Sequence, residues 1–176
     1  MGRKITLEES KNIRLSENFT LDEFIYSEVA EKYGIDNSMP EAYLPHIQYL
    51  VTTVLQPVRD KFGPIKVLSG YRSPELSTHP KIGSSKYSNH CFGYAADIEP
   101  YDTNIPLTEV LRYIHAHLDY KELIAEHFPS GWVHVAAQKY NNKHVLKLKD
   151  KTHHYTKVSI DFINTLYPRN KTTRVA

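Results

Sequence analysis

Apolar residues recur at helical spacing in the first third of the chain and at alternating spacing afterwards. From about Pro40 to Phe62, Leu44, Ile47, Val51, Val54, Leu55, Val58 and Phe62 return every three or four residues, which predicts a long amphipathic helix. Pro57 removes one backbone donor inside it and predicts a kink or two abutting helices. Upstream, Thr20-Leu21-Asp22-Glu23 reads as a capping box ahead of Phe24 and Ile25, opening a helix that Gly34 can stop. Beyond Gly63-Pro64 the period shortens: Ile65 to Ser69 alternates as a strand and runs into the turn residues Gly70 to Pro74. Glu75 to Asn89 is polar and reads as an exposed loop, and Tyr94 to Ile98 as the next strand. Pro106 to His117 carries Leu107, Val110, Leu111 and Ile114 on one helical face. Leu123 to His127 and Trp132 to Ala136 read as a hairpin around Phe128 to Gly131, with His144 to Leu148 as a further hairpin partner reached through Asn141-Asn142. Helices early and strands late imply an α+β domain, its helices packed on a mostly antiparallel sheet.

Composition narrows the chemistry. The 176 residues, 40% hydrophobic and 24% charged, suit one globular domain, with 1–16 and 170–176 expected to be loosely ordered ends. A net charge of +2 is too small for binding a phosphate backbone as the main task, so nucleic acid is not an expected partner. No apolar run approaches the roughly 18 residues of a membrane span, and Met1 to Thr20 has no apolar signal core, so neither a membrane nor export is expected. The myristoylation-like start at Gly2 and the glycan-like patterns at Asn18 and Asn170 are too short to carry weight. Cys91 is the single cysteine, which excludes an internal disulfide and a Cys-rich zinc module; a metal site must therefore use histidine and carboxylate. His153-His154 and the Lys-rich stretch Lys143 to Lys151 read as a solvated face.

Three such groups fall on strands or strand edges: His90 ahead of Gly93, Asp97 closing Tyr94-Ala95-Ala96-Asp97, and His134 in Trp132-Val133-His134. Two imidazoles and one carboxylate, with a position left open, form the set of a catalytic zinc site. A straight strand would hold His90 and Asp97 about 23 Å apart. The chain must therefore reverse between them, and Gly93 supplies the freedom to do so. Small Ala95 and Ala96 leave room beside the strand.

Ser88-Asn89-His90-Cys91-Phe92-Gly93-Tyr94-Ala95-Ala96-Asp97 resembles the S-x-H-x-x-G-x-A-x-D motif of M15-type zinc peptidases. Ser69-Gly70-Tyr71-Arg72-Ser73 is similar to their S-G-Y-R-S segment and Trp132-Val133-His134 to their W-x-H ending, in the same order. The likeness runs from about Leu15 to Ala137 and implies a zinc peptidase domain over 17–169, with a Hedgehog/D-Ala-D-Ala-peptidase-like fold. It implies that His90, Asp97 and His134 hold one Zn2+, which activates a water as nucleophile and polarises the scissile carbonyl. Arg72 is then the electrophilic partner of a substrate carboxylate or oxyanion. The implied substrate is a peptidoglycan stem peptide, cut as D-Ala-D-Ala carboxypeptidases or L-Ala-D-Glu endopeptidases do.

Much of the family places its general base three residues before the last ligand, where this chain has Gly131. The replacement is Glu126 if the hairpin pairs residues whose numbers sum to an even value, or His127 if the register slips by one. A compact member without an export signal implies a phage-encoded protein, working from the host cytoplasm before lysis or from the virion, with other virion proteins as further partners. Two other readings fit Gly131: a virion or structural protein that keeps the fold and metal but not hydrolysis, and a module that grips peptides without cutting them.

Overall fold

The predicted stripe from Pro40 to Phe62 does form one helical run, and Ile47, Leu50, Val51, Val54, Leu55 and Val58 on its inner face are all buried. In this computed structural model, which describes residues 2–150, 152 and 154–169, the chain begins with β1 (Lys4–Ile5), α1 (Leu7–Ser10), α2 (Asp22–Ile25), α3 (Glu28–Tyr33) and β2 (Met39–Pro40). It continues through α4 (Leu44–Leu50), α5 (Gln56–Phe62), β3 (Ile65–Ser69), α6 (Pro74–Thr78), β4 (Ala95–Pro100) and α7 (Leu107–His117). Last come β5 (Glu122–Glu126), β6 (Trp132–Ala136), β7 (Val145–Lys149), β8 (Tyr155–Lys157) and α8 (Ile160–Leu166). Lys151, His153 and the expected tail 170–176 lie outside the described residues.

Between α4 and α5 the helix widens into a π turn over Val51–Leu55 instead of breaking. Pro57 lacks an N–H and its ring crowds the carbonyl a turn earlier, and the wider turn accommodates both. The helix expected from Thr20 to Gly34 comes in two pieces. Tyr26 is extended and Ser27 caps α3 through a 3.3 Å bond from Ala30 N–H, before Gly34 ends it. Only the Glu23 half of the first capping box forms, its carboxylate accepting the Thr20 N–H at 2.9 Å.

Among the described residues ahead of 17, those from Lys4 to Leu15 are tied into the fold, where the sequence suggested a loosely ordered end. β1 pairs with β2, Thr6 and Glu9 form a complete capping box, and Ile5 and Leu15 are buried in the core. The segment read as a loop from Glu75 begins instead inside α6, which Ser73 caps and Pro74 opens, and Leu76 and Ser77 are buried.

The main sheet has strand order β3-β4-β6-β5-β7-β8 and is antiparallel except where β7 runs parallel to β5. The expected hairpin partner after β6 is thus corrected. Both edges of β6 are taken by β4 and β5, so β7 must cross to the free edge of β5. Alternation then separates the two faces. Ala96, Ile98, Leu123, Ala125, Val133, Val135 and Leu146 join the core with Val110, Leu111 and Ile114 of α7. The other face carries Asp97, His134, Glu122, Ile124, Glu126, Lys147 and Lys149. Among the described residues no helix is long and apolar enough to cross a membrane.

Candidate metal centre

Strand register brings the candidate ligands together. Asp97 on β4 lies directly opposite His134 on β6, and His134 lies opposite Ile124 on β5. His90 arrives from outside the sheet, on a single 3-10 turn over Asn89–Phe92 that Ser88 caps. The reversal expected between His90 and Asp97 is made at Gly93, whose φ of 71° lies in the left-handed region; a Cβ there would come within 3.0 Å of Ile47.

His90 Nε2 lies 3.2 Å from His134 Nδ1 and 3.4 Å from Asp97 Oδ1, and His134 Nδ1 lies 2.8 Å from Asp97 Oδ1. Ligand bonds of about 2.0–2.1 Å in a tetrahedral zinc site set neighbouring donor atoms about 3.3 Å apart, close to these separations. His90 donates its Nδ1 proton to the Gly70 carbonyl at 2.6 Å, which turns the lone pair of Nε2 toward the other two groups. His90, Asp97 and His134 are buried and form the one cluster among the described residues that could hold a metal ion. Two imidazoles and a carboxylate suit zinc.

Burial pulls the His90 imidazole down to about 4, with Asp97 opposing the shift and Arg72 adding to it. Burial alone would raise the Asp97 carboxyl, but the adjoining His90 and His134 rings hold it well below the usual carboxylate range. A pH dependence follows for the metal-free protein. An unfolded His90 protonates near 6.5 and the folded ring only near about 4, so the unfolded state binds more protons between those values. Stability is fully present above the upper value and is expected to fall by about 3 kcal/mol as the pH drops through that window. Urea unfolding at a series of pH values measures it; a flat profile would contradict it.

Arg72 follows β3 and reaches the same place, its Nη2 4.0 Å from Asp97 Oδ2 and its Nε buried without a hydrogen-bond partner. The loop carrying it is pinned by Asn37, which the sequence did not single out. Asn37 donates to the carbonyls of Ile25 (2.7 Å) and Tyr71 (3.2 Å) and accepts from Ser73 N–H (2.7 Å). Asn37→Ala leaves these buried groups unpaired and is expected to destabilise the fold by about 3 kcal/mol. Thermal or urea melting measures the loss, and an unchanged midpoint would show that water replaces the amide.

Glu126 pairs opposite Trp132 and so shares the face of His134, as an even-sum register requires. Its side chain is buried against Lys149 at 2.8 Å. His127 stands one residue past the strand with φ 54°, its ring edge-on to Trp132, and is not among the residues lining the cleft. That cleft, of about 250 Å³, is lined by Arg72, His90, Glu122, Glu126, His134 and Lys147 among others. The lysines of β7 are therefore not a solvated face: Lys147 bonds Glu122, and Lys149 bonds Glu126. Their spacing of two along a strand was a visible signal, but the strand they would face was not. Cys91 is buried, with its sulfur toward the Ser85 carbonyl. A larger groove of about 960 Å³ beside α7 contains none of these ligands.

A sequence model described as Peptidase M15 matches residues 17–136, about two thirds of the chain and every side chain of the cluster. The chain belongs to the peptidase M15 family. No curated protein matches it. M15 peptidases are zinc-dependent, and the buried donor set of this member fits that ion. The M15 match ends at the last residue of β6, so β7, β8 and α8 lie beyond it, although β7 lines the cleft.

Proposed function

We propose that this M15 member is a zinc peptidase that hydrolyses peptidoglycan stem peptides, as a carboxypeptidase or an endopeptidase. The observation that carries the reading is the placement of a buried carboxylate, Glu126, in the cleft that also contains His90 and His134. His90 Nε2, Asp97 Oδ1 and His134 Nδ1 would hold the ion. Zinc so bound lowers the pKa of a water and polarises a carbonyl.

Glu126 takes the proton of the attacking water and delivers it to the leaving amine. The ion pair to Lys149 fixes that carboxylate in the cleft. Arg72 binds a substrate carboxylate or the developing oxyanion through its planar fork. Lys147 and Lys149 are each paired with a glutamate, while Arg72 keeps a buried Nε with no partner. That balance favours a substrate bearing a carboxylate, as a stem peptide does. The catalytic unit spans 17–169, and we place the protein in a phage, acting from the host cytoplasm before lysis or from the virion beside other virion proteins.

Incubating the zinc-loaded protein with purified cell-wall fragments, then weighing the products by mass spectrometry, tests the reading. Release of a terminal residue or of a cut stem is expected. One bound zinc with no product would favour a structural or peptide-gripping role.

A further inference from the structure

One polar atom of the His134 ring is unaccounted for. Nδ1 faces Asp97 and His90, while Nε2 is buried with no hydrogen-bond partner. The acceptor facing it is Glu122 Oε1, 3.8 Å away. Glu122 stands two residues before Ile124, the residue opposite His134, so the pleat puts its carboxylate on the His134 face. That carboxylate is itself braced. Lys147 bonds Oε2, and Asn89, the residue before His90, approaches Oε1 at 3.4 Å. Lys121 in turn donates to the side-chain Oδ1 of Asn89 at 2.9 Å. One side chain thus touches the segments that carry both histidines, and its brace comes from β7, outside the family match.

We propose that Glu122, braced by Lys147, is a positioning residue that sets the tautomer and tilt of His134 for metal binding. The inference rests on the zinc reading given above. An imidazole that offers Nδ1 to a cation must carry its proton on Nε2, and a buried N–H needs an acceptor. Glu122 is that acceptor, and a carboxylate in this place also raises the basicity of the ligating nitrogen. Without the cation, Nδ1 can keep the proton and donate it to Asp97. Nε2 then turns a lone pair toward an anionic oxygen, which accounts for a separation too long for a hydrogen bond.

Competition with a chromogenic chelator gives the zinc affinity of the wild type, Glu122→Ala, Glu122→Gln and Lys147→Met. The wild type is expected to bind one equivalent, and Glu122→Ala to weaken binding by about 10–100-fold. Glu122→Gln keeps an accepting oxygen and should recover most of the loss, whereas Lys147→Met should lose part of it. Long-range nitrogen–proton NMR of the zinc-loaded protein supplies a readout that a merely structural role would not move. His134 should show a slowly exchanging Nε2 proton that Glu122→Ala exposes to solvent exchange, with the His90 pattern unchanged. Equal zinc affinity and an unaltered Nε2 proton in Glu122→Ala would overturn the proposal. Should that variant not fold, Glu122→Gln decides: its weaker acceptor must move the Nε2 proton upfield, and an unmoved signal overturns the assignment. A folded wild type that binds no zinc overturns the metal reading, and this proposal with it, from the wild-type arm alone.

Discussion

Glu126→Gln is expected to lower kcat for stem-peptide hydrolysis by about 10²–10⁴-fold, the usual worth of a positioned general base. The substitution is nearly isosteric, and the amide oxygen can still accept from Lys149, so neither the strand nor the ion-pair partner is left stranded. Glu126 is not one of the clustered ligands, so zinc should remain bound at one equivalent. The loss should therefore fall on turnover, while KM changes little. His127→Ala is the companion variant. Its backbone N–H bond to the Lys149 carbonyl survives the change, and its ring does not line the cleft, so turnover should be retained. Steady-state kinetics on a defined stem peptide, with zinc content measured on the same samples, checks both. Undiminished turnover in Glu126→Gln, or a collapse in His127→Ala, would reverse the assignment.

Gly131→Glu restores the residue type that much of the family has three places before the last ligand, and it is expected to fail. A Cβ at Gly131 would stand 1.8 Å from the Glu126 carbonyl oxygen and 2.9 Å from the His127 Cβ. Backbone cannot yield as a flexible side chain does, so the turn between β5 and β6 must open. The cost is expected to be about 3 kcal/mol or more, which lowers Tm by roughly 6–12 °C for a chain of this size. Opening the turn also disturbs the Glu126–Trp132 pairing that aims Glu126 at the cleft, so activity should fall as well. Thermal melting by circular dichroism gives the first quantity and peptide hydrolysis the second. A Gly131→Glu protein as stable as the wild type, which also rescues Glu126→Gln, would move the base back to position 131. The tight hairpin and the proposed base are thus two aspects of one arrangement: the turn excludes a side chain at 131, and the preceding strand places a carboxylate, Glu126, in the cleft.

The cluster was legible because its parts are local. The S-x-H-x-x-G-x-A-x-D segment holds its own reversal at Gly93, and the short hairpin fixes whether Glu126 or His127 shares the face of His134. Hydrophobic periodicity likewise placed α7 and the strands β3 to β6, since each buries a stripe that its own sequence displays. What stayed hidden depends on partners far along the chain. Ile5 and Leu15 look like scattered apolar residues in a polar leader until β2 and the core receive them. Asn37 is an ordinary loop residue until it meets the Ile25 carbonyl on one segment and the Tyr71 carbonyl and Ser73 N–H on another.

By itself the sequence pointed to the α+β class, to the two imidazoles and the aspartate with the arginine beside them, and to Glu126 or His127 as candidate base, a choice it left to the strand register. Tertiary structure alone decided that β7 runs parallel to β5, because the edges of β6 were already occupied. That one pairing turns Lys147 and Lys149 from a charged surface stripe into partners of Glu122 and Glu126. The physical reason is that alternation along a strand says which residues share a face, whereas the neighbour that face meets is set by which sheet edge remains free to pair.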